Sequence, residues 1–362
     1  MEQELKSELE QNKSREKIKK LLLILGLLIL LGVLSMVAVV SGAAQITWKE
    51  TLVIILEALP FGVEGEDISD VHRDILLQMR LPRVLLAAAV GTSLAVAGAA
   101  FQGLFRNPMA DPYVIGISSG AAVGAILGML SGIQVVMGGF GTVPLFAFGG
   151  GFLTMLLVYY MARVGKTVPV MTLLLSGIAI SAFLSAVVSL LTFFAGDKLH
   201  QVVFWLMGGL GGATWEQVLV MIPYAAAGYL LVALYSRELN AMLMGEETAM
   251  HLGVETEKVK KFILVGSSLL VAAAVSTSGI IGFVGLVVPH FIRLIAGPDH
   301  RFLLPASALL GAALLIGTDT LARTVIAPTE LPVGIITSLV GAPMFLYLLK
   351  KRKKLRYFGG GD

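Results

Sequence analysis

The chain has no cysteine and few charged residues. The absence of cysteine from all 362 residues excludes disulfides, a thiolate zinc site, an iron–sulfur cluster and a cysteine nucleophile. Charged side chains make up only 14% of the residues, against roughly 25% in an ordinary soluble domain. Hydrophobic residues reach 56%. This composition excludes a typical soluble enzyme, and it excludes a disordered chain, which needs low hydrophobicity and high charge.

Sequence motifs of enzymatic chemistry are also missing, so no catalytic residue is predicted. Gly165-Lys166-Thr167 resembles the end of a phosphate-binding loop, but the first glycine of that motif would fall at Tyr160. The five histidines are scattered without the spacing of metal ligands on a helix, so no metal site is expected. The positive net charge of +3 lies mostly beside hydrophobic segments, where membrane topology explains it better than nucleic-acid binding does.

Ten hydrophobic segments are candidates for membrane-spanning helices, which need about 20 apolar residues each. The seventh to ninth are short, and we expect them to tilt little or to break within the membrane. The predicted spans are Leu21–Ala43, Val84–Phe105, Val114–Met137, Val143–Ala162, Val170–Ala195, Val218–Leu234, Phe262–Val275, Ile281–Ile295, Leu303–Gly317 and Val333–Leu349. The predicted fold class is an all-α polytopic membrane protein with about ten transmembrane helices.

The positions of lysine and arginine predict the orientation of these spans. With the N-terminus in the cytoplasm, most of the 27 Lys and Arg residues fall in inner segments, as the positive-inside rule requires. Both termini are therefore predicted to be cytoplasmic. The expected organisation is a tail at 1–20, a transmembrane domain at 21–350 with a long inner loop at about 236–261, and a basic tail at 351–362.

Glycines recur every four residues along the third span. This spacing places them on one helix face, so that a neighbouring backbone can approach closely. We expect this face to be a packing surface, with a glycine-lined conduit as the alternative. The glycines are Gly116, Gly120, Gly124, Gly128 and Gly132.

Three segments outside the apolar cores offer chemistry. Arg80 and Arg83 flank Leu-Pro at the outer end of the second span. One interpretation is that their charged ends reach the membrane–water interface. The other is that they bind carboxylates of a partner outside the cell membrane. Residues 102–112 predict a tight inner turn or a constriction at the inner mouth of a pathway. The loop from Glu246 to Leu252, ended by Gly253, predicts a short amphipathic helix. That helix would face a cytoplasmic partner or lie on lipid.

Ionisable residues are scarce within the predicted spans. Arg293, His290 and Asp319 are the candidates, whereas ion-coupled carriers usually hold acids or proton relays deep in the bilayer. The energy for any transport is therefore expected to come from a partner. A secondary carrier without an ATPase is the alternative, and a membrane protein with no cargo is another.

A series of motifs resembles the FecCD family, the permease subunits of type II ABC importers for iron–siderophores, cobalamin, haem and related metal chelates. The resemblance extends from about Leu21 to Lys350. The motifs occur in the family's order: Arg80–Arg83, Gln102–Pro112, Gly116–Ala121, Leu173–Gly177, Trp205–Gly209, Gly245–Gly253, Gly279–His290, Asp299–Arg301, Asp319–Arg323, Glu330–Gly334 and Gly341–Pro343.

The resemblance implies a ten-helix permease of the type II importer fold in a prokaryotic cytoplasmic or inner membrane. It implies a second permease copy in a homodimer, two cytoplasmic ATPase subunits that carry ATP and Mg²⁺, and an extracytoplasmic binding protein. No cofactor is expected on this chain. The implied cargo is a metal chelate, with an iron–siderophore expected first and cobalamin or haem next.

The resemblance also implies roles for particular residues. Arg80, Arg83 and Arg323 would receive acidic residues of the binding protein, with Asp319 orienting Arg323. Two further sets are implied, for the ATPase groove and for the inner gate. The coupling set is Gly245, Glu246, Glu247, Ala249, Leu252 and Gly253, and the gate set is Asn107, Met109, Val170 and Met171.

Overall fold

The computed structural model describes residues 1–42, 44–58, 68–136 and 141–358. Within these ranges the secondary structure is helical, apart from an isolated bridge between Val164 and Thr167. The α-helices of the described chain are α1 (Glu2–Val40), α2 (Trp48–Glu57), α3 (Asp70–Asp74), α4 (Leu81–Leu104), α5 (Ile117–Leu130), α6 (Thr142–Ala162), α7 (Val170–Phe193), α8 (Leu199–Leu206), α9 (Trp215–Leu234), α10 (Ser236–Leu243), α11 (Glu246–His251), α12 (Thr256–Ser278), α13 (Val284–Ala296), α14 (His300–Thr324) and α15 (Val333–Phe358).

Ten of these helical segments coincide with the ten predicted spans. In the described residues, seven are long and apolar enough to cross a membrane, and three shorter apolar helices, α5, α13 and the first part of α15, accompany them. A π-helical stretch, Ile75–Arg80, joins α3 to α4 into one helix of 35 residues, Asp70–Leu104. The polytopic all-α fold is therefore confirmed.

The lengths predicted for the seventh and ninth spans were wrong. α12 has 23 residues and α14 has 25, so neither is a short or broken helix. The sequence pattern ended these spans where charged side chains begin, at Lys260 and Lys261 in one case and at Asp319 in the other. Lys260 and Asp319 are buried among opposite charges, so both helices continue through them. The eighth span, α13, is short as predicted, with 13 residues.

The third span is shorter than the predicted Val114–Met137. α5 has 14 residues, and a glycine with positive φ lies near each end, Gly116 at 81° and Gly132 at 68°. A left-handed backbone cannot continue a right-handed helix, and glycine adopts it without steric cost. Two of the five spaced glycines therefore delimit the helix rather than pack it.

The middle of the same glycine series forms the predicted packing surface. A Cβ atom built on Gly124 would lie 2.0 Å from the carbonyl oxygen of Phe146 in α6. Gly120 and Gly150 face each other with similar closeness, since a Cβ on either would meet the other's carbonyl oxygen within 2.6 Å. α5 and α6 therefore pack backbone against backbone, as small residues allow between helices in a membrane.

The long helices divide into a central and a peripheral set. α4, α12 and α14 are the most buried, whereas α1 and α7 expose most of their apolar surface. α4 crosses α14 where Gly91 meets Gly311, and it crosses α13 where Gly98 meets Gly285. α4 is thus the axis of the bundle, and its two ends position the sites described below.

Gly124→Ala should destabilise the protein, because the new methyl group would overlap the Phe146 carbonyl and force α5 away from α6. Overpacking of this kind costs about 1–3 kcal/mol. The measurement is the apparent Tm of the purified protein in detergent. Gly149→Ala is the matched control, because nothing lies within 4 Å of a Cβ built there. Equal Tm values for the two variants would contradict the packing.

Candidate functional site

The outer ends of α1, α4 and α14 surround a cavity of about 530 Å³. Arg80, Arg83 and Arg323 line it, together with Glu330 and residues of the segment before α9. The structure thus brings together the three arginines that the sequence singled out. Their side chains are not free, however, since they are only 5%, 8% and 7% exposed, respectively.

Arg83 is held by two carboxylates. Its Nε and Nη2 atoms donate to Asp319 on α14 at 2.9–3.1 Å. Its Nη1 atom donates to both oxygens of Glu330 at 2.9 Å. The planar guanidinium matches both carboxylates, and this arrangement fixes α4 to α14 and to the segment before α15.

Arg80 and Arg323 bind the C-terminal end of α1. Arg80 Nη1 donates to the carbonyl oxygens of Val39 at 2.9 Å and Val40 at 2.7 Å. Arg323 Nη2 donates to the carbonyl oxygen of Ala38. Helix C-termini carry unpaired carbonyls and partial negative charge, so the two cations stabilise this end of α1.

Asp319 forms hydrogen bonds with Arg83 and only a long ion pair with Arg323. The predicted orienting contact to Arg323 is long, with 3.9 Å between Arg323 Nε and Asp319 Oδ2. That Nε atom is buried and has no hydrogen-bond partner among the described residues. Arg323 therefore keeps one donor for a further acceptor. The sequence carried no signal for the Arg83–Asp319 pairing, because 236 positions separate the two residues.

The predicted coupling helix is present as α11. It begins after Gly245, whose φ of 120° turns the chain, and Gly253 with φ 84° follows its last turn. Ala249 is completely buried, and the carboxylate of Glu246 accepts a hydrogen bond from Lys260 Nζ in an ion pair. Leu252 is 64% exposed and Glu247 is exposed beside it.

Two methionines enlarge the exposed face of this segment. Met244 is 72% and Met250 is 51% exposed, and neither was predicted as a coupling residue. Unbranched apolar side chains in a charged loop are a sequence signal for an adaptable contact surface. We call the exposed side chains of Met244, Glu247, Met250 and Leu252 the coupling surface, after the role that the family resemblance implies for this loop.

The predicted gate residues lie on two different connections. Asn107 and Met109 are exposed in the turn between α4 and α5, where Asn107 Oδ1 accepts a hydrogen bond of 3.0 Å from the Met109 backbone N–H. Val170 and Met171 begin α7, the first half-buried and the second 66% exposed. Both pairs are therefore at helix ends rather than in the middle of a span.

Polar side chains form hydrogen bonds that stabilise the inner loops near the predicted gate residues. Asp299 accepts a hydrogen bond of 2.7 Å from Asn240 on α10 and caps α14 through the Arg301 backbone N–H. The hydrogen bond from the Arg301 side chain is the main reason why the pKa of Asp299 falls to about 2. In the turn after α4, burial raises the pKa of Asp111. Over the described residues, no three His, Asp or Glu side chains are grouped to hold a metal ion.

The outer cavity and the coupling surface lie at opposite ends of α4. Arg83 is near its first residue, and Arg106 follows its last. A guanidinium nitrogen of Arg106 lies 3.9 Å from a Cβ built on Gly245, at the start of α11. A helix of 24 residues is about 36 Å long. α4 therefore connects the outer cavity to the loop that contains α11.

Asp319→Asn should destabilise the protein strongly, because it leaves the buried guanidinium groups of Arg83 and Arg323 without their shared carboxylate. Breaking a buried ion pair from one side costs about 3–5 kcal/mol. Thermal unfolding in detergent measures the change. Glu330→Gln is the control, since the Glu330 side chain is 45% exposed and exposed pairs contribute about 1 kcal/mol or less. A larger loss for Glu330→Gln would refute the central place of Asp319.

Known proteins share this sequence and architecture. The sequence model of the FecCD transport family matches residues 27–351. The cobalamin import system permease protein BtuC of Halobacterium salinarum is 46% identical over 308 residues, which are 85% of this chain and 80% of that protein. The hemin transport system permease protein HmuU of Yersinia pestis is 45% identical over 291 residues, 80% of this chain and 86% of that protein.

The structure also resembles a solved membrane transporter. The inward-facing conformation of a metal-chelate type ABC transporter superposes with a TM-score of 0.77 and 32% sequence identity, covering 91% of this chain and 98% of the other. Three observations indicate the same family: the ordered motifs, the ten helical segments and the similarity over nearly the whole chain. The chain therefore belongs to the FecCD transport family and is a multi-pass membrane permease subunit of the ATP-driven ABC importer type.

Proposed function

We propose that this permease imports a metal chelate, delivered by an extracytoplasmic binding protein and driven by two cytoplasmic ATPase subunits. The observation that carries the proposal is the two-ended bundle, with arginines gathered around an outer cavity and the short helix α11, with its exposed methionine, at the inner end. Family membership favours this importer over an ion-coupled secondary carrier. A second copy of the chain would complete the pathway, in the cytoplasmic or inner membrane of a prokaryote.

The relatives and α7 both favour a chelate as the cargo. Cobalamin and hemin both hold a metal in an organic macrocycle, and their permeases are almost equally similar to this chain, at 46% and 45% identity. α7 carries no charged residue, and most of its apolar side chains are exposed. We assign α7 to the pathway between two copies, where an apolar wall would pass a bulky chelate without holding it. An iron–siderophore is the first proposal, followed by cobalamin and haem.

At the outer end, we propose that Arg80, Arg83 and Arg323 dock acidic side chains of the binding protein. Among the described residues Arg323 Nε has no hydrogen-bond partner, with Asp319 at 3.9 Å, and the main-chain carbonyls bound by Arg80 are weaker partners than carboxylates. A docking carboxylate would thus enter the cavity and take over donors from α1.

At the inner end, we propose that the coupling surface fits into a groove of an ATPase subunit. ATP binding would then move α11, and the gate residues at the ends of α4 and α7 would open and close in alternation.

The cargo is tested by reconstitution of the complete importer in liposomes with its ATPase and binding protein. We expect one chelate, loaded on the binding protein, to stimulate ATP hydrolysis and to accumulate inside. The panel contains iron–siderophores, cobalamin, haem and molybdate, since a molybdate permease of Haemophilus influenzae is 37% identical. Stimulation by molybdate alone would overturn the chelate proposal. Uptake that follows an ion gradient without ATP would overturn the importer.

Arg323→Gln should weaken docking of the loaded binding protein by about tenfold or more, because losing one partner of a buried charge pair costs about 2 kcal/mol or more. The measurement is the Kd for the reconstituted importer, with Tm recorded to separate docking from folding. Arg73→Gln is the control, an outer arginine that is 39% exposed and paired with Glu57 instead. Equal Kd values for both variants and the parent would refute docking at the cavity.

A further inference from the structure

A lysine side chain is buried at the inner end of the bundle, where α11, α12 and the start of α7 meet. Lys260 on the first turns of α12 is only 2% exposed. A buried ammonium group costs several kcal/mol unless opposite charges and acceptors surround it. The position of this lysine therefore depends on the groups that it binds.

Three acceptors surround the ammonium group. Lys260 Nζ lies 2.6 Å from Glu246 Oε1 on α11 and 2.9 Å from the carbonyl oxygen of Val168. It also forms an ion pair with Glu257, one turn earlier on α12. An ammonium group has three N–H donors, so all three are used. Each acceptor belongs to a different element: the first residue of α11, the first turn of α12 and the segment before α7.

In the segment before α7, both main-chain polar groups of Val168 are hydrogen-bonded to charged side chains of α12. The Val168 carbonyl accepts from Lys260, and the Val168 N–H donates to Glu257 Oε2 at 3.0 Å. The Val168 side chain is 1% exposed in the core. Pro169, which follows, is the N-cap of α7. The start of α7 is therefore tied to the first turn of α12 by charged hydrogen bonds and by packing.

We propose that Lys260 is a positioning residue that joins α11 to the start of α7, so that displacement of α11 moves Val170 and Met171. This inference rests on the proposed coupling role of α11. The path is short: Glu246 moves with α11, Lys260 follows Glu246, and Val168 follows Lys260. Because the contacts are charged and buried, they resist separation more than exposed contacts do.

A neighbouring ion pair on the same helix provides the comparison. Lys258 lies 3.9 Å from Glu255, with the two side chains 55% and 77% exposed. This pair has the same spacing of three residues as Lys260 and Glu257, but among the described residues no hydrogen bond or ion pair joins its side chains to α7 or to the coupling surface. Replacing it therefore changes the charge of the same helix turn and leaves the proposed path intact.

The test variant is Lys260→Met with Glu257→Gln. The methionine fills the volume of the lysine stem. The glutamine still offers an oxygen to the Val168 N–H, and it removes a partly buried carboxylate that would otherwise have lost its cation. Glu246→Leu alone is the second variant, which removes the acceptor on α11, so that it cuts the path only there and keeps the Lys260–Glu257 pair. Lys258→Met with Glu255→Gln is the matched control. All are studied in the complete importer in liposomes.

Two reporter cysteines separate docking from the motion that follows it. The chain has no cysteine, so Met250→Cys on the coupling surface and Met171→Cys on α7 can each be labelled alone. Position 250 reports ATPase docking as protection from a thiol reagent. Position 171 reports movement of α7 as the change in labelling rate between the nucleotide-free and ATP-trapped states. Transport per ATP hydrolysed is recorded in parallel, without the reporters.

In the parent and in the control, position 250 should be protected and position 171 should respond to ATP. In both test variants, protection at 250 should remain, whereas the response at 171 and the transport per ATP should fall by about tenfold, a typical coupling between distant sites. An unchanged response at 171 in both test variants overturns the role of Lys260. Loss of protection at 250 in the parent overturns the proposed coupling surface instead, and the positioning role with it.

Discussion

Pairing of buried charges is the constraint on which this bundle depends. A charge taken from water into a helical membrane protein must meet opposite charge or carbonyl oxygens, or the helix that carries it cannot stay in place. At the outer end, Arg83 meets Asp319 and Glu330. At the inner end, Lys260 meets Glu246 and Glu257. Together with Arg80 and Arg323, which bind the end of α1, these two clusters join α1, α4, α7, α12 and α14 by charged hydrogen bonds.

Close backbone packing complements these clusters in the apolar middle of the bundle. Lipid tails are as apolar as leucine, so helices gain stability from close contact rather than from leaving water. Gly91 and Gly311 bring α4 against α14, and Gly98 and Gly285 bring α4 against α13. The result is a stiff centre with charged junctions at its two ends. Relative movement of the helices is therefore easier at their ends, where hydrogen bonds can exchange partners, than in the middle, where glycines pack backbone against backbone.

The two junctions differ in a way that matters for an importer. Arg80 and Arg323 bind main-chain carbonyls of α1, and Arg323 Nε has no hydrogen-bond partner in the described part of the chain. Such neutral acceptors can be replaced by the carboxylates of an arriving protein. The inner cluster has no spare donor on Lys260 and joins its elements more firmly. The proposed docking at the outer junction and the proposed transmission of movement at the inner junction both follow from this difference in bonding.

Much of the architecture follows from local composition. Apolar runs and glycine spacing predict ten helical segments, and the loop at Gly245–Gly253 predicts α11, because these features depend on neighbours along the chain. The local sequence also indicated the arginines of the outer cavity as candidate site residues. It mistook the ends of α12 and α14 and did not reveal that Arg80, Arg83 and Arg323 are buried. Pairings across 236 residues, as for Arg83 and Asp319, or 92 residues, as for Lys260 and Val168, arise only when the helices pack. Whether a charge ends a helix or lies inside it depends on its partner in space, and only the tertiary structure supplies that partner.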